Sequence, residues 1–316
     1  MEYATDKQKI LIILGPTATG KTDLAVRLAE LLDGEIVNAD SMQVYRGMDI
    51  GTAKPSLELR RRVPHHLIDI ADPGWNFSAS DFWREAAGAI ADITGRGKRA
   101  FIVGGTGLYI RALLQGLADS PSGAGKVRLE LEEEARRHGN AALLRELASV
   151  DPVTAGRLHP NDLVRIIRAL EVYRLTGKPI SQQRSTHAFS GDYYDALKLG
   201  LTVERRELYE RIDGRVERMI ADGLLDEVRT LLDRGFSPQL KALRSIGFRQ
   251  ICAHLSGEYP FEEAVRLIKR DTRRYAKRQM TWFNGDKEIN WVEYSDNFAS
   301  IYNNVIEFFA KGEEHG

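Results

Sequence analysis

Short apolar runs bounded by polar, glycine-marked turns set the pattern of the chain. Ile10-Leu11-Ile12-Ile13-Leu14 predicts a strand, and the residues from Thr22 through Ala29 turn to a helical alternation. Glu35-Ile36-Val37-Asn38 predicts a second short strand, and His65-His66-Leu67-Ile68-Asp69-Ile70 another. Ser78-Ala79-Ser80-Asp81 supplies capping residues for a helix running to about Thr94, closed by Gly95-Arg96-Gly97. Arg99-Ala100-Phe101-Ile102-Val103 is the next strand, stopping at Gly104-Gly105-Thr106-Gly107. The pattern then changes. Residues 119–125 have linker composition, and 126–188 show helical periodicity with no convincing strand. There Asn161 or Asp162 caps a helix whose apolar positions are Leu163, Ile166, Ile167, Leu170 and Tyr173. Strand character returns at 195–201, followed by helices at 204–221, 261–283 and about 296–310. Strands alternating with helices predict an α/β fold with a parallel sheet core flanked by helices, interrupted by an all-helical insertion. The expected division is 1–118 with 190–316 for the core and 119–189 for the insertion.

Between the first strand and first helix stands Gly15-Pro16-Thr17-Ala18-Thr19-Gly20-Lys21-Thr22, the spacing G-x-x-x-x-G-K-[ST] of a phosphate-binding P-loop. Gly15 and Gly20 let the chain turn tightly and bring amides against phosphate oxygens. The helix starting near Lys21 points its positive end at the same anion. Lys21 adds a full charge, and the Thr22 hydroxyl is placed for a Mg²⁺ ion carried by the phosphates. The core is thus P-loop NTPase-like, for a diphosphate or triphosphate ligand. Asp40 ends the second strand and falls at the same sheet edge, where ligands of open α/β sheets bind. Ser41, Met42 and Gln43 follow it, then a Gly- and Pro-marked loop, 46–55, of the kind that binds rather than packs. Three glycines in 104–107 mean that the backbone comes close to something, a plain tight turn being the alternative. The His65-His66 pair reads as structural or hydrogen-bonding, since neighbours on a strand face opposite ways.

Two helices concentrate arginine. Arg211, Arg215 and Arg218 form a line on 204–221 beside the buried stripe of Leu208, Ile212, Val216 and Met219. One of them suits a pyrophosphate clamp; the alternative is a solvated face paired with Glu207, Glu210 and Glu217. Helix 261–283 carries Arg266, Lys269, Arg270, Arg273, Arg274, Lys277 and Arg278 against Glu262, Glu263 and Asp271, with Tyr275, Trp282 and Phe283 interleaved. Cations with rings have the composition of a nucleic-acid surface, a solvated helix face being the plainer reading.

Globally the charge is silent: 45 basic residues stand against 45 acidic in 316, so only local clusters bear on an RNA partner. Cys252 is the sole cysteine, which excludes an internal disulfide and a cysteine-based zinc site and suits a reducing cytoplasm. The segment Met1–Lys9 lacks a signal-peptide apolar core, and no apolar run reaches a membrane span.

A Walker B aspartate following a purely apolar strand is absent, which weakens an NTPase reading. A P-loop small-molecule kinase remains the alternative; it leaves the Arg-rich helix and the insertion unexplained. A non-catalytic RNA-binding protein leaves the P-loop and Asp40 unexplained. The motifs together resemble the bacterial tRNA dimethylallyltransferase (isopentenyl-diphosphate:tRNA transferase) family. They are GPTATGKT at 15–22, DSMQVYRGMDIGTAKP at 40–55, HHLID at 65–69, GGTGLY at 104–109, NDLVRIIRALE at 161–171 and RYAKRQMTW at 274–282. The resemblance implies transfer of a dimethylallyl group from its diphosphate to N6 of adenosine 37, beside the anticodon of tRNA. It implies a P-loop holding the donor's diphosphate, although the same motif is also described as ATP-binding. Lys21 and Thr22 with Mg²⁺ would then steady the leaving diphosphate, helped by one arginine of 204–221, with Arg211 favoured. Asp40 would be the base that takes the N6 proton. Ser41, Met42 and Gln43 would hold the base edge. Thr106, Arg128 and Val164-Arg165-Ile166-Ile167-Arg168 match positions associated with tRNA contact, and Arg274, Lys277 and Arg278 complete the RNA surface. The insertion would grip the anticodon stem-loop with the target base flipped into the core. Family members usually have a polar residue, often Gln, where this chain has Val164, which puts a base contact by that side chain in doubt. The C-terminal zinc finger of eukaryotic relatives is absent. A monomer is expected.

Overall fold

A computed structural model describes residues 7–116, 124–182, 193–293 and 298–311. The chain divides into two compact units, Met1–Leu113 with Tyr193–Gly316, and Leu114–Asp192. The sequence-based linker at 119–125 lies outside the described residues up to 123.

The first unit is a six-stranded sheet in the order β3-β2-β4-β1-β5-β6, parallel throughout. Its strands are β1 (Lys9–Leu14), β2 (Gly34–Asn38), β3 (His65–His66), β4 (Arg99–Gly104), β5 (Asp195–Leu201) and β6 (Asn290–Val292). β1 lies between β4 and β5, and the chain leaves it toward β4 and β2 before returning past it to β5. The carboxyl end of β1 is therefore a switch point of the sheet, where a ligand crevice opens. Ile10 to Leu14 are almost completely buried because helices cover both faces, which is why β1 reads as a continuous apolar run. On one face α1 (Lys21–Leu31) and α13 (Phe298–Ala310) place Leu24, Leu28, Ile301, Val305 and Phe309 against Leu11, Ile13, Phe101 and Leu199. Against β4 and β2 packs α3 (Ala79–Gly95), opened by a Ser78–Asp81 capping box.

Several elements escape the apolar pattern. The strand expected over 65–70 has only two residues, because Leu67 and Asp69 take left-handed φ angles of +63° and +59°. Asp69 is drawn out of the sheet to meet Lys54 and Arg60. Short helices α2 (Leu57–Arg62) and α4 (Gly107–Gln115) occupy stretches to which the pattern assigned no element. The other helices of this unit are α9 (Arg205–Ala221), α10 (Leu224–Asp233), α11 (Phe248–Leu255) and α12 (Phe261–Phe283). β6 has only three residues, and a non-local pair explains it: Lys198, buried in β5, reaches Asp286 at 2.8 Å and Glu288 at 2.7 Å, fastening the segment that enters β6.

The second unit is helical among its described residues: α5 (Ala124–His138), α6 (Asn140–Val150), α7 (Pro152–Ala155) and α8 (Leu163–Thr176). Leu131, Leu143, Leu147, Ile166, Ile167 and Leu170 form its core. The expectation that Ile166 and Ile167 touch tRNA is corrected here. Their side chains are 0% and 4% exposed, so they hold α8 in place while its polar neighbours face outward. Glu171, also buried, accepts from Arg128 at 3.2 Å and Arg168 at 2.8 Å, so both guanidinium groups neutralise an interior charge.

Gly200 of β5 tests the β6 contact. A Cβ there would meet Ile289 and the Trp291 ring at 2.5 and 2.6 Å. Gly200→Ala is expected to cost about 1–3 kcal/mol through overpacking, read as a lowered denaturation midpoint in urea.

Candidate functional site

The turn after β1 is built to present amides. Gly15 has φ +137°, and a Cβ on it would lie 2.6 Å from the Leu201 carbonyl oxygen, so the loop runs directly against the end of β5. Ala18 at +67° and Gly20 at +88° continue the left-handed path into α1. Thr19, buried, donates through Oγ1 to the Pro16 carbonyl at 3.0 Å, and Lys21 Nζ donates to the same oxygen at 2.6 Å.

Lys21 and Arg215 define the electrostatics. Arg215, from α9, donates to Thr17 Oγ1 at 3.1 Å and lies 3.5 Å from the Thr52 carbonyl. Desolvation, then the neighbouring Arg215, lower the Lys21 pKa from 10.5 to about 7, with Asp40 pulling the other way. Desolvation likewise lowers Arg215, with Asp40 opposing and Arg218 adding to the shift. Two desolvated cations thus share one nearby carboxylate, which is the signature of a site waiting for an anion. Arg211 lines the same cavity, but it is half-exposed and paired with Glu207, one helical turn back. The deeper arginine is Arg215, not the favoured Arg211. The sequence did carry a signal for it in Gly214, a glycine inside a helix that also lines the cavity.

Two cavities meet here. One, of about 420 Å³, is lined by Thr17, Lys21, Thr22, Asp40, His65 and Arg215 among others. The second, of about 320 Å³, is lined by Asp40, Ser41, Met42, Arg244, Ser245 and Arg278 among others. Thr17, Asp40, Arg215 and Tyr275 belong to both. Asp40 Oδ1 accepts from the Met42 amide at 2.8 Å, which orients the carboxylate at the junction. Burial, then Asp40, raise Tyr275 to about 12, so its hydroxyl stays protonated. His65 holds the Val63 carbonyl through Nδ1 at 2.7 Å, and its Nε2 is buried without a protein partner. His66 bonds Glu35 at 2.7 Å.

The glycines at 104–107 owe their identity to packing. A Cβ on Gly104 would strike the Ala39 backbone, one on Gly105 the Gln279 amide, and one on Gly107 the Trp282 ring. Thr106 Oγ1 accepts from the Ser41 amide at 3.1 Å, and its own amide donates to Ala39 at 3.2 Å. The strand-end turn therefore clamps the Asp40 segment on one side and receives α12 on the other.

Loop 46–55 is held from a distance. Glu227 of α10 accepts from the amides of Asp49, Ile50 and Gly51 at 2.7, 2.7 and 2.9 Å. Burial pushes its carboxyl up, with the three amides pulling the other way. Gln43 Nε2 donates to the Thr52 and Ala53 carbonyls at 3.1 and 3.2 Å, so that nitrogen holds the loop rather than a ligand. Nothing local to Glu227 betrays this role, since its partners lie up to 178 residues away.

The basic helix is less free than its composition suggests. Arg266 pairs with Glu263, Lys269 with Glu217, Arg270 with Asp271 and Arg273 with Asp213. Arg274 is exposed, 3.9 Å from Asp271, and Lys277 and Arg278 are exposed. In the second unit Val164 is 75% exposed and Arg165 pairs with Asp162 at 2.8 Å. Among the described residues no cluster of three or more His, Cys, Asp or Glu side chains is placed to hold a metal. Thr22 and Asp40 line the same cavity, and this oxygen-donor pair fits Mg²⁺, which keeps several waters and takes most other ligands from phosphate.

Fold and site together define a P-loop α/β protein whose cation-lined cavity meets a second cavity at Asp40. The family model described as IPP transferase matches residues 43–286, and that described as isopentenyl transferase matches 8–69. The chain belongs to the IPP transferase family. It is 69% identical to "tRNA dimethylallyltransferase 2" of Geotalea uraniireducens over 96% of this chain and 98% of that one. A solved tRNA isopentenylpyrophosphate transferase from Bacillus halodurans superposes with a TM-score of 0.72 at 42% identity, covering 98% of this chain and all of that one. A eukaryotic dimethylallyltransferase solved acting on tRNA gives 0.81 at 29% identity, over 95% of this chain and 80% of its own.

The Lys21 environment makes a measurable prediction. Its ammonium, followed by NMR with ¹⁵N-labelled lysine, is expected to titrate near pH 7 in the free protein. Inorganic diphosphate supplies negative charge and raises that midpoint, so ligand binding takes up protons above pH 7. A midpoint near 10 in the free protein contradicts the desolvated arrangement.

Proposed function

We propose that the protein transfers a dimethylallyl group from dimethylallyl diphosphate to N6 of adenosine 37 in tRNA, releasing diphosphate. The observation that carries this reading is Asp40 at the junction of two cavities, one lined by the desolvated cations Lys21 and Arg215, the other by exposed Arg278. In the first, amides of the P-loop, Lys21 and Arg215 hold the donor's diphosphate. In the second, a flipped adenine brings its amino group to Asp40. The bond from N6 to the prenyl C1 forms as the C1–O bond to diphosphate breaks. The electron pair of the broken bond leaves on diphosphate oxygen, where Lys21 and Arg215 meet the growing charge. The N6 proton passes to the Asp40 carboxylate, which the Met42 amide keeps in place. Mg²⁺, held through Thr22, would neutralise part of the diphosphate charge. Arg215 rather than Arg211 carries the clamp, because Glu207 already holds Arg211 and Arg215 reaches the P-loop itself. Arg274, Lys277 and Arg278 meet the RNA backbone, with Arg244 and Ser245 lining the second cavity.

The direct test is mass analysis of an unmodified anticodon stem-loop RNA incubated with protein, Mg²⁺ and dimethylallyl diphosphate, beside a tube holding ATP instead. A prenyl gain on adenosine in the first tube alone supports the transferase; no gain, with ATP turned over on a metabolite, replaces it with a kinase. Asp40→Asn is expected to keep RNA affinity and lose about 10²-fold or more in kcat. Arg215→Ala is expected to lose about 10²–10³ in kcat, and Arg211→Ala far less; the reverse order restores Arg211 as the clamp. Charge reversal at Arg274, Lys277 and Arg278 should weaken RNA binding and flatten its salt dependence, while reversal at the paired Arg266 should not.

A further inference from the structure

We infer that Gln279 is a positioning residue that fixes the P-loop relative to the Asp40 turn, and that the Thr17 amide is thereby withheld from the diphosphate. This rests on the transferase reading above and concerns a residue with no assigned role in it. Gln279 lies on α12 and is 6% exposed. Its Oε1 accepts from the Thr17 amide at 2.9 Å, and its Nε2 donates to the Gly105 carbonyl at 2.9 Å. The amide has one possible orientation, since Oε1 faces a donor and Nε2 an acceptor. One side chain thus spans the turn after β1 and the turn after β4. Thr106 in turn holds the Ser41 amide. A chain of contacts therefore runs from Thr17 through Gln279 to the Gly105–Thr106 turn and on to the residue after Asp40.

Packing alone does not account for a glutamine here. Gln279 falls on the inward stripe with Ala264, Ile268, Ala276 and Phe283, where a methionine would fill a similar volume without an amide to desolvate. Gly105 has no room for a Cβ against Nε2, so the turn is shaped around this side chain. The consequence is functional. Reaction requires the prenyl carbon, held through its diphosphate, and the amino group, held at Asp40, to meet within a few tenths of an ångström. Gln279 sets that separation from the wall of the first cavity, through its bonds to the two turns.

Three measurements decide it. Gln279→Met removes both bonds and is expected to lower kcat by about tenfold or more, while RNA affinity stays within about threefold, since the exposed cations of α12 are untouched. Gln279→Glu gives a sharper readout. As a neutral acid it reproduces the donor and acceptor of the amide; ionised, it keeps the Thr17 bond but turns an oxygen on the Gly105 carbonyl. Tyr275 on the same helix, Asp40 after β2, Lys21 on α1 and Arg215 on α9 line the same cavity and also titrate or carry charge. Dividing by the parent profile removes their contribution, and the ratio of Gln279→Glu to parent kcat is expected to rise as pH falls. In the parent protein, the Thr17 amide is expected to exchange slowly with solvent and to shift less than the amides of 18–22 when inorganic diphosphate is added. A Gln279→Met kcat within twofold of the parent, a ratio flat with pH, or a Thr17 amide that shifts most, overturns the inference. A parent that binds diphosphate but never prenylates RNA overturns the transferase reading instead, and the amide measurement still judges Gln279.

Discussion

Two positive charges kept out of water without an equal negative charge beside them are the constraint on which this site depends. Burial and Arg215 raise the cost of ionising Lys21, burial and Arg218 that of ionising Arg215, and Asp40 offsets only part of each. A fold tolerates such a pair when surrounding structure holds it and a ligand repays it. The sheet supplies the first condition. β1 delivers Lys21, β2 delivers Asp40, and α9 brings Arg215 across the same edge. A diphosphate supplies the second, and its charge is worth most where water has been excluded.

α12 then acts as the member that joins the parts. Its inward side binds the two turns through Gln279, while the half-exposed Trp282 ring lies over Gly107. Its outward side carries Arg274, Lys277 and Arg278. Helix and glycine turn are matched surfaces, each explaining the other's composition. The basic residues nearer its N-terminus serve a different end, tying α12 to α9 through Asp213–Arg273 and Glu217–Lys269.

What the sequence discloses and what it hides divide by distance along the chain. The P-loop, Asp40 and the central strands are local patterns in which turn chemistry and apolar runs agree, so the core sheet and the phosphate site can be read directly. Helix 261–283 has the boundaries its amphipathic pattern predicts. The misses are non-local. Leu67 and Asp69 leave the sheet because Lys54 and Arg60 draw Asp69 away, and β6 exists because Lys198 gathers two acids from beyond α12. Glu227 holds a loop that carries no trace of it. Arg211 and Arg215 occupy the same flank of one helix, and apart from Gly214 beside Arg215 what separates them is the bond from Arg215 to Thr17, 198 residues away. Ile166 and Ile167 share a motif with exposed Arg165, and periodicity alone had already assigned them to the buried stripe.

The pairing of β1 with β5 has a consequence for how the protein is made. Lys9 to Leu14 find their partners at Asp195 to Gly200, on the far side of an entire helical unit. On the ribosome, one edge of the central strand stays unpaired while some 180 residues are still to be synthesised, roughly ten to forty seconds at ordinary translation rates. During that interval the nascent chain presents an apolar strand edge of the kind that invites wrong partners. The helical unit, whose contacts are close in sequence, is able to fold within the same interval. Chaperone dependence during synthesis should therefore track the time before residue 200 emerges.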